Sequence, residues 1–233
     1  MRYWNPANSA YYTETRAYNS RLQLTRLTVP GALDMEYRYT ANQNNGQIWQ
    51  QKDWISGEEV TYAYDGLQRL ISAATTDTAW GQSFSYDGFG NRTAAMVTKG
   101  SAPSSSFSID AATNRITGFS YDANGNMTAG GGYTGASFDI ENRMVSVTGS
   151  GGTETYGYIA SNKRFWKKKP NGAEEFYFYG ISGQKMGTWQ RSGSSLVLVD
   201  TNLYFGSKMI LSRGVVPLLD RLGSNRNGSK YFP

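Results

Sequence analysis

The 233-residue chain contains no histidine and no cysteine, and each zero removes a block of chemistry. Without them there is no Ser-His-Asp or Cys-His nucleophile pair, no His/Cys zinc centre and no disulfide. Carboxylate chemistry, lysine chemistry and oxygen-ligated metals stay open. Charge is also sparse: Asp, Glu, Lys and Arg make up 18% of the chain, against about 25% in ordinary globular domains. No apolar run approaches the roughly 20 residues that a membrane-spanning helix needs, so no membrane span is expected. Residues 1–20 carry no signal-peptide core.

Helical periodicity is nearly absent as well. The longest stretch without Gly or Pro, Ala7 to Val29, is rich in Tyr and Thr and has no sustained i, i+3, i+4 apolar stripe. Alternation of period two takes its place. Met35, Tyr37 and Tyr39 point one way, with Glu36, Arg38 and Thr40 the other. Val60, Tyr62 and Tyr64 alternate with Thr61, Ala63 and Asp65, and Phe84 and Tyr86 with Ser83, Ser85 and Asp87. Such half-buried strands, separated by clusters of Gly, Asn and Ser, predict an all-β, antiparallel chain of hairpins.

What is abundant fits that pattern: Tyr supplies 17 residues and Gly 27. An aromatic or aliphatic residue followed by Asp recurs at Tyr64-Asp65, Tyr86-Asp87, Ile109-Asp110, Tyr121-Asp122 and Phe138-Asp139, with the Asp positions 22, 23, 12 and 17 apart. Asp65 and Asp139 have an Arg four residues on, Arg69 and Arg143. After Asp87, Asp110 and Asp122 that place holds Asn91, Asn114 and Asn126. Each unit is expected to be a hairpin turn. The aromatic ends a strand and packs inward, and the Asp accepts hydrogen bonds from backbone N–H groups two residues on. Gly90, Gly125 or a substituting Asn or Gln takes the positive-φ place. The Arg stem lies over the aromatic ring of the next unit. These jobs are structural, so the aspartates call for no catalytic explanation.

Tyr64-Asp65-Gly66-Leu67-Gln68-Arg69-Leu70 and Tyr86-Asp87-Gly88-Phe89-Gly90-Asn91-Arg92 resemble the YD repeats of bacterial Rhs proteins, toxin-complex C subunits and animal teneurins. The Ile109 and Phe138 units lack both Tyr and Gly, and Tyr158 to Arg164 keeps Tyr without Asp. Asp220-Arg221-Leu222-Gly223-Ser224-Asn225-Arg226 with Tyr231-Phe232-Pro233 resembles the start of the Rhs-associated core segment. The resemblance implies a β-sheet that spirals into a shell around a C-terminal toxin payload, in a secreted or cell-surface protein. It divides the chain into an N-terminal β segment (1–34, a degenerate repeat), a repeat array (35–157) and degenerate repeats leading into the core segment (158–233). The partners it implies are other repeat segments of the same or a longer chain and an encapsulated toxin domain.

Candidates for chemistry are few. In the resembled family an aspartyl autoprotease cuts the payload free, but paired carboxylates are needed to share a proton, and no acidic residue follows Asp220. Asp220 with Gly223 is therefore expected to be a turn. Asp122, Asn124 and Asn126 imitate half of a calcium loop, yet the twelfth position is Tyr133 rather than Glu. The net charge is +5, and its densest part is Lys163, Arg164, Lys167, Lys168 and Lys169 beside Trp166. Folding about Asn171-Gly172 is expected to set Lys169 and Lys168 opposite Glu174 and Glu175. The leftover charge with Phe165 and Trp166 makes a candidate patch for an anionic ligand such as an acidic glycan. The stripe Phe176 to Tyr179 is read as packing, and no nucleic-acid partner is expected, because Lys and Arg do not interleave with the aromatics.

The expectation is thus a non-enzymatic structural repeat protein without cofactor or metal. Its alternatives are a glycan-binding or adhesion module and a filament that assembles edge to edge through open strands.

Overall fold

The structure, a computed structural model, describes residues 2–5, 10–42 and 44–226. Tyr231, Phe232 and Pro233 lie outside the described residues. It is all-β: no helix occurs among the described residues, and every pairing is antiparallel. β1 (Arg2–Asn5) pairs with β2 (Ala10–Thr13) as a ribbon. A nine-stranded sheet follows in strict chain order: β3 (Thr15–Tyr18), β4 (Leu24–Val29), β5 (Leu33–Tyr39), β6 (Ile48–Asp53), β7 (Glu59–Tyr64), β8 (Leu70–Thr75), β9 (Trp80–Tyr86), β10 (Arg92–Gly100) and β11 (Ser105–Ser106). Two short pairs come next, β12 (Ile109–Asp110) with β13 (Arg115–Ile116), and β14 (Ser120–Tyr121) with β15 (Met127–Ala129). An eight-stranded sheet closes the chain: β16 (Tyr133–Phe138), β17 (Met144–Gly149), β18 (Gly152–Tyr158), β19 (Arg164–Lys168), β20 (Glu174–Tyr179), β21 (Lys185–Ser192), β22 (Ser195–Phe205) and β23 (Lys208–Ser212).

The chain packs as two compact units, residues up to 109 together with those from 217, and residues 110–216. These units divide packing, whereas the divisions drawn from the sequence divide motif.

In the first unit the alternation of the sequence becomes two faces. Leu33, Met35 and Tyr37 of β5 are 1–3% exposed, Leu27, Val29, Ile48 and Ala95 are buried as well, and Val60 and Ala73 form a buried cluster with Trp80. Removing the Leu, Val, Ile and Met side chains from water contributes roughly 1.5–3 kcal/mol each. The opposite face holds the charges in a cross-strand ladder. Arg26 makes two 2.8 Å bonds to Asp34, Arg38 bridges Glu36 and Glu59, and Trp54 Nε1 donates to Glu36 at 2.8 Å. After the second unit the chain returns to this core. Leu218 is 5% exposed, and the Arg221 N–H donates to the Tyr37 hydroxyl at 3.2 Å.

The second unit is built differently. Val216, at its end, is its one fully buried apolar side chain, whereas the polar Thr188, Asp200 and Asn202 are all buried. A row of facing residues crosses five strands on one face of its large sheet: Gly157, Trp166, Phe176, Trp189 and Leu198. The expectation that Phe176 to Tyr179 serves packing meets a mixed outcome. Phe178 packs edge-on against Trp189 with ring centroids 4.5 Å apart but stays 48% exposed.

Candidate functional site

The feature that recurs is a tight turn, most often after a strand-ending aromatic. In the Asp65 turn the Asp65 N–H donates to the Arg69 carbonyl at 3.0 Å and the Gln68 N–H to the Asp65 carbonyl at 2.9 Å. Gln68 takes φ +64° to allow this. The same pair of backbone bonds recurs in turns that start at Asn19, Asp87, Asp122, Asp139, Ile159, Lys169, Gly180 and Asp220. The residue three places on has positive φ in each, from Leu22 and Gly90 to Gly125, Asn142 and Gly223. This is a type I turn closed by a residue in the left-handed region.

The aspartate side chain completes the turn. Asp65 Oδ1 accepts from the N–H groups of Leu67 and Arg69, both at 2.9 Å, and Oδ2 accepts from Arg69 Nε at 2.7 Å. Asp139 repeats this with Glu141 and Arg143. Asp87 and Asp122 use Asn91 and Asn126 in place of Arg, with side-chain bonds of 2.8 and 2.9 Å. Asp110 is the variant: its Oδ1 accepts from the N–H groups of Ala112 and Thr113 and from the Thr113 hydroxyl. These donors hold all five carboxyls below the usual Asp range. The first cause is the backbone N–H of Arg69 or Arg143 for Asp65 and Asp139. For Asp87, Asp122 and Asp110 it is the side chain of Asn91, Asn126 and Thr113.

The arginine then joins one turn to the next. The Arg69 guanidinium lies 4.7 Å from the centre of the Tyr86 ring, Arg115 5.0 Å from Tyr121 and Arg143 5.2 Å from Tyr158. The tyrosines add a bond that inspection of the sequence did not foresee. The hydroxyls of Tyr39, Tyr64, Tyr86, Tyr158, Tyr179 and Tyr204 donate to the carbonyls of Leu24, Ile48, Leu70, Met144, Arg164 and Lys185. Each acceptor is the first residue of its strand. A further turn was also hidden. Asn19 Oδ1 accepts from the N–H groups of Arg21 and Gln23, and its Nδ2 donates to Gln23 Oε1 at 2.7 Å. Tyr18-Asn19 followed by Gln23-Leu24 was the available signal, a Tyr-Asp unit with both polar residues in amide form.

The aspartates weighed for chemistry are engaged in their own turns. Asp220 Oδ1 accepts from Leu222 and Ser224 at 2.9 Å each, and Oδ2 faces Arg226 at 2.7 Å. The oxygens of Asp122 turn inward to its own loop, while Asn124 and Asn126 donate to Asn142 Oδ1 at 3.1 and 2.8 Å. No cluster of three Asp or Glu side chains able to hold a metal exists among the described residues. An open groove of ≈ 500 Å³ runs beside Arg21, Arg38, Asn44 and Trp49, but Arg21 already donates to the Asn44 carbonyl at 2.7 Å.

The basic patch folds with a register different from the expected one. Lys168 faces Glu174 and Lys167 faces Glu175. The reason is the turn: Lys169 and Ala173 are bonded inside it and Gly172 takes φ +82°, so pairing starts one residue earlier. Because strand faces alternate, that single step moves each lysine to the other face. Lys167 pairs with Glu154 at 2.8 Å and Lys169 with Glu175. Arg164 lies over Tyr156 and Tyr177. Lys163 donates to the Gly183 carbonyl and sits over Tyr179. Trp166 belongs to the apolar row, and Lys168 is exposed with no ion pair among the described residues. On the Lys167 face the Tyr156 hydroxyl donates to Glu154 at 2.7 Å. Burial first, then that carboxylate, pushes the Tyr156 phenol up to about 12.

No protein-family model matches the chain. Over 177 residues, 72% of the chain, it is 29% identical to the tRNA3(Ser)-specific nuclease WapA of Bacillus spizizenii, and it spans 7% of that protein. In fold it is similar to the crystal structure of TcdB2-TccC3 without its hypervariable C-terminal region. That likeness has a TM-score of 0.60 and 15% identity, and it covers 88% of this chain and 12% of the other. Both likenesses agree with a YD-repeat relationship, the first in sequence and the second in fold.

Proposed function

We propose that this chain is a structural segment of an Rhs-type YD-repeat β-shell, which encloses a toxin payload within a longer, secreted or surface-exposed protein. The observation that carries the proposal is the stitched hairpin. Asp or Asn closes most of these turns, Arg covers the next ring, and Tyr clips one hairpin to the one before it. Such a unit adds to its neighbours without limit and so suits a large enclosing sheet. The likeness to parts of WapA and TcdB2-TccC3 supports the same reading. On this reading the chain is non-enzymatic, because its recurring carboxylates are engaged in turns, and its partners are further repeat segments. Glycan recognition has weaker support, since most of the basic patch is held within the sheet.

Protease protection tests the proposal. A protease-sensitive reporter placed after residue 233 in the full-length gene product is expected to survive digestion under native conditions. A reporter cut as fast as the free peptide would overturn the shell.

A further inference from the structure

The longest strand among the described residues is β22, with 11 residues, and half of one edge is open. On its inner side β21 pairs with it from Ser195 to Thr201. On its outer side β23 pairs only with Asn202 to Phe205, and the Arg213 N–H takes the Thr201 carbonyl at 3.0 Å. From Ser195 to Asp200 the outer edge has no partner strand among the described residues. Its side chains Leu196, Val197, Leu198 and Val199 are 49–53% exposed. No charge and no proline occurs from Ser192 to Val199.

Most other sheet edges carry charges or are very short, devices that discourage pairing, and the uncharged β16 at the far edge of the same sheet is interrupted by two register shifts. β3 is four residues long and its Arg16 is ion-paired to Glu14. β11 is two serines. β23 is short and begins with Lys208. Ser195–Val199 has none of them except a bulge at Val199, and the buried charge of Asp200 comes only at its end.

We propose that this edge pairs with the same edge of a second copy of the chain, antiparallel about a two-fold axis through Val197. The occupant follows from the pattern. Facing residues in an antiparallel pair share a face, so a two-fold centred on Val197 sets Val197 against its counterpart and Leu196 against Leu198. The apolar row Trp166, Phe176, Trp189, Leu198 then runs on into Leu196 of the second copy. An uncharged strand meets no like charge when it meets itself. The contact is isologous, so it closes at two copies and does not propagate a filament. Edge pairing alone covers less surface than a standard stable interface, so the dimer forms and dissociates with concentration. This inference is independent of the shell.

Sedimentation velocity of the 233-residue chain at rising concentration is expected to show a monomer–dimer equilibrium. Val197→Lys is expected to lose the dimer, while Ile181→Lys, at a fully exposed turn position, keeps it. Because the chain has no cysteine of its own, Val197→Cys is expected to form a disulfide-linked dimer on mild oxidation, the paired Cα atoms lying within disulfide reach. Ile181→Cys is expected to stay monomeric. A parent chain that is monomeric at every concentration would overturn the proposal, as would open polymers or equal cross-linking at Ile181. If Val197→Lys fails to fold by circular dichroism, the two cysteine variants still decide.

Discussion

The hydroxyl of Tyr86 donates a 2.7 Å hydrogen bond to the carbonyl of Leu70, and this one contact joins two hairpins. Tyr86 ends β9, and Leu70 begins β8. Tyr64 faces Leu70 across the preceding turn and reaches back in turn to Ile48 at 2.9 Å. In the nine-stranded sheet Tyr39, Tyr64 and Tyr86 each bond the strand start that the previous tyrosine faces, so the bonds run from strand to strand along one end of the sheet.

Replacing Tyr86 by Phe removes this bond and leaves the Leu70 carbonyl without its donor. The expected loss is about 1 kcal/mol. Urea unfolding should show a lower midpoint with an unchanged slope, because the ring keeps its packing under Arg69. An unaltered midpoint would remove the tyrosine clip from the stability of the sheet.

The positive-φ positions supply a prediction of the opposite sign. Leu22 at φ +59° and Gln68 at φ +64° place a Cβ where only glycine is unstrained. Leu22→Gly and Gln68→Gly are each expected to stabilise by about 0.5–1 kcal/mol, the left-handed penalty less the entropy of glycine. Gly90→Ala at φ +88° should destabilise by about 1 kcal/mol, read in the same denaturation series.

The turn aspartates fix the acid response. Their folded-state carboxyls lie below the ordinary Asp value of 3.8 because backbone and side-chain donors favour the ionised form. A depressed folded value means that the stabilisation is present above the unfolded value and is lost as pH falls through the folded one. Melting temperature is therefore expected to stay level down to about pH 4 and fall below it. Asp65→Asn should fold, as the Asn19 turn does, and should show a shallower acid loss. A variant as acid-sensitive as the parent would assign the loss elsewhere.

The fold was legible because its signals are local. Alternation in Met35, Tyr37 and Tyr39, and Gly or Asn after each Asp, depend on a few adjacent residues, and so did the reading of an all-β antiparallel chain. What escaped depends on several strands at once. The bond from Tyr86 to Leu70 spans residues that meet only after the sheet has formed. The Asn19 turn was hidden because amides replaced Asp and Arg and Leu22 took the place of glycine. The Lys168–Glu174 register turned on one bulged residue in a turn, which spacing alone does not resolve. The polar interior of the second sheet had no sequence marker, since Thr188 and Asp200 lie in strands that read like exposed ones.

Asp200 shows what that polar interior costs. Its side chain is 5% exposed, with Oδ2 3.9 Å from Lys185 Nζ and 3.5 Å from Arg213 Nε, and Oδ1 is buried with no hydrogen-bond partner among the described residues. Lys185 is held in place by a 3.2 Å bond to Thr188 Oγ1, whereas Arg213 is 76% exposed and well solvated. Lys185→Met therefore leaves a buried carboxylate with one weak partner and should destabilise by about 2 kcal/mol, less than for a fully buried pair because the lysine is partly in water. Asp200→Leu removes the buried charge, and in the Lys185→Met background it should restore most of the loss, since apolar replacement of a buried ion pair is often neutral or better. The double-mutant cycle should show coupling of at least about 1 kcal/mol. Simple additivity would mean that water already satisfies Asp200 and that Lys185 stabilises the sheet only through its stem.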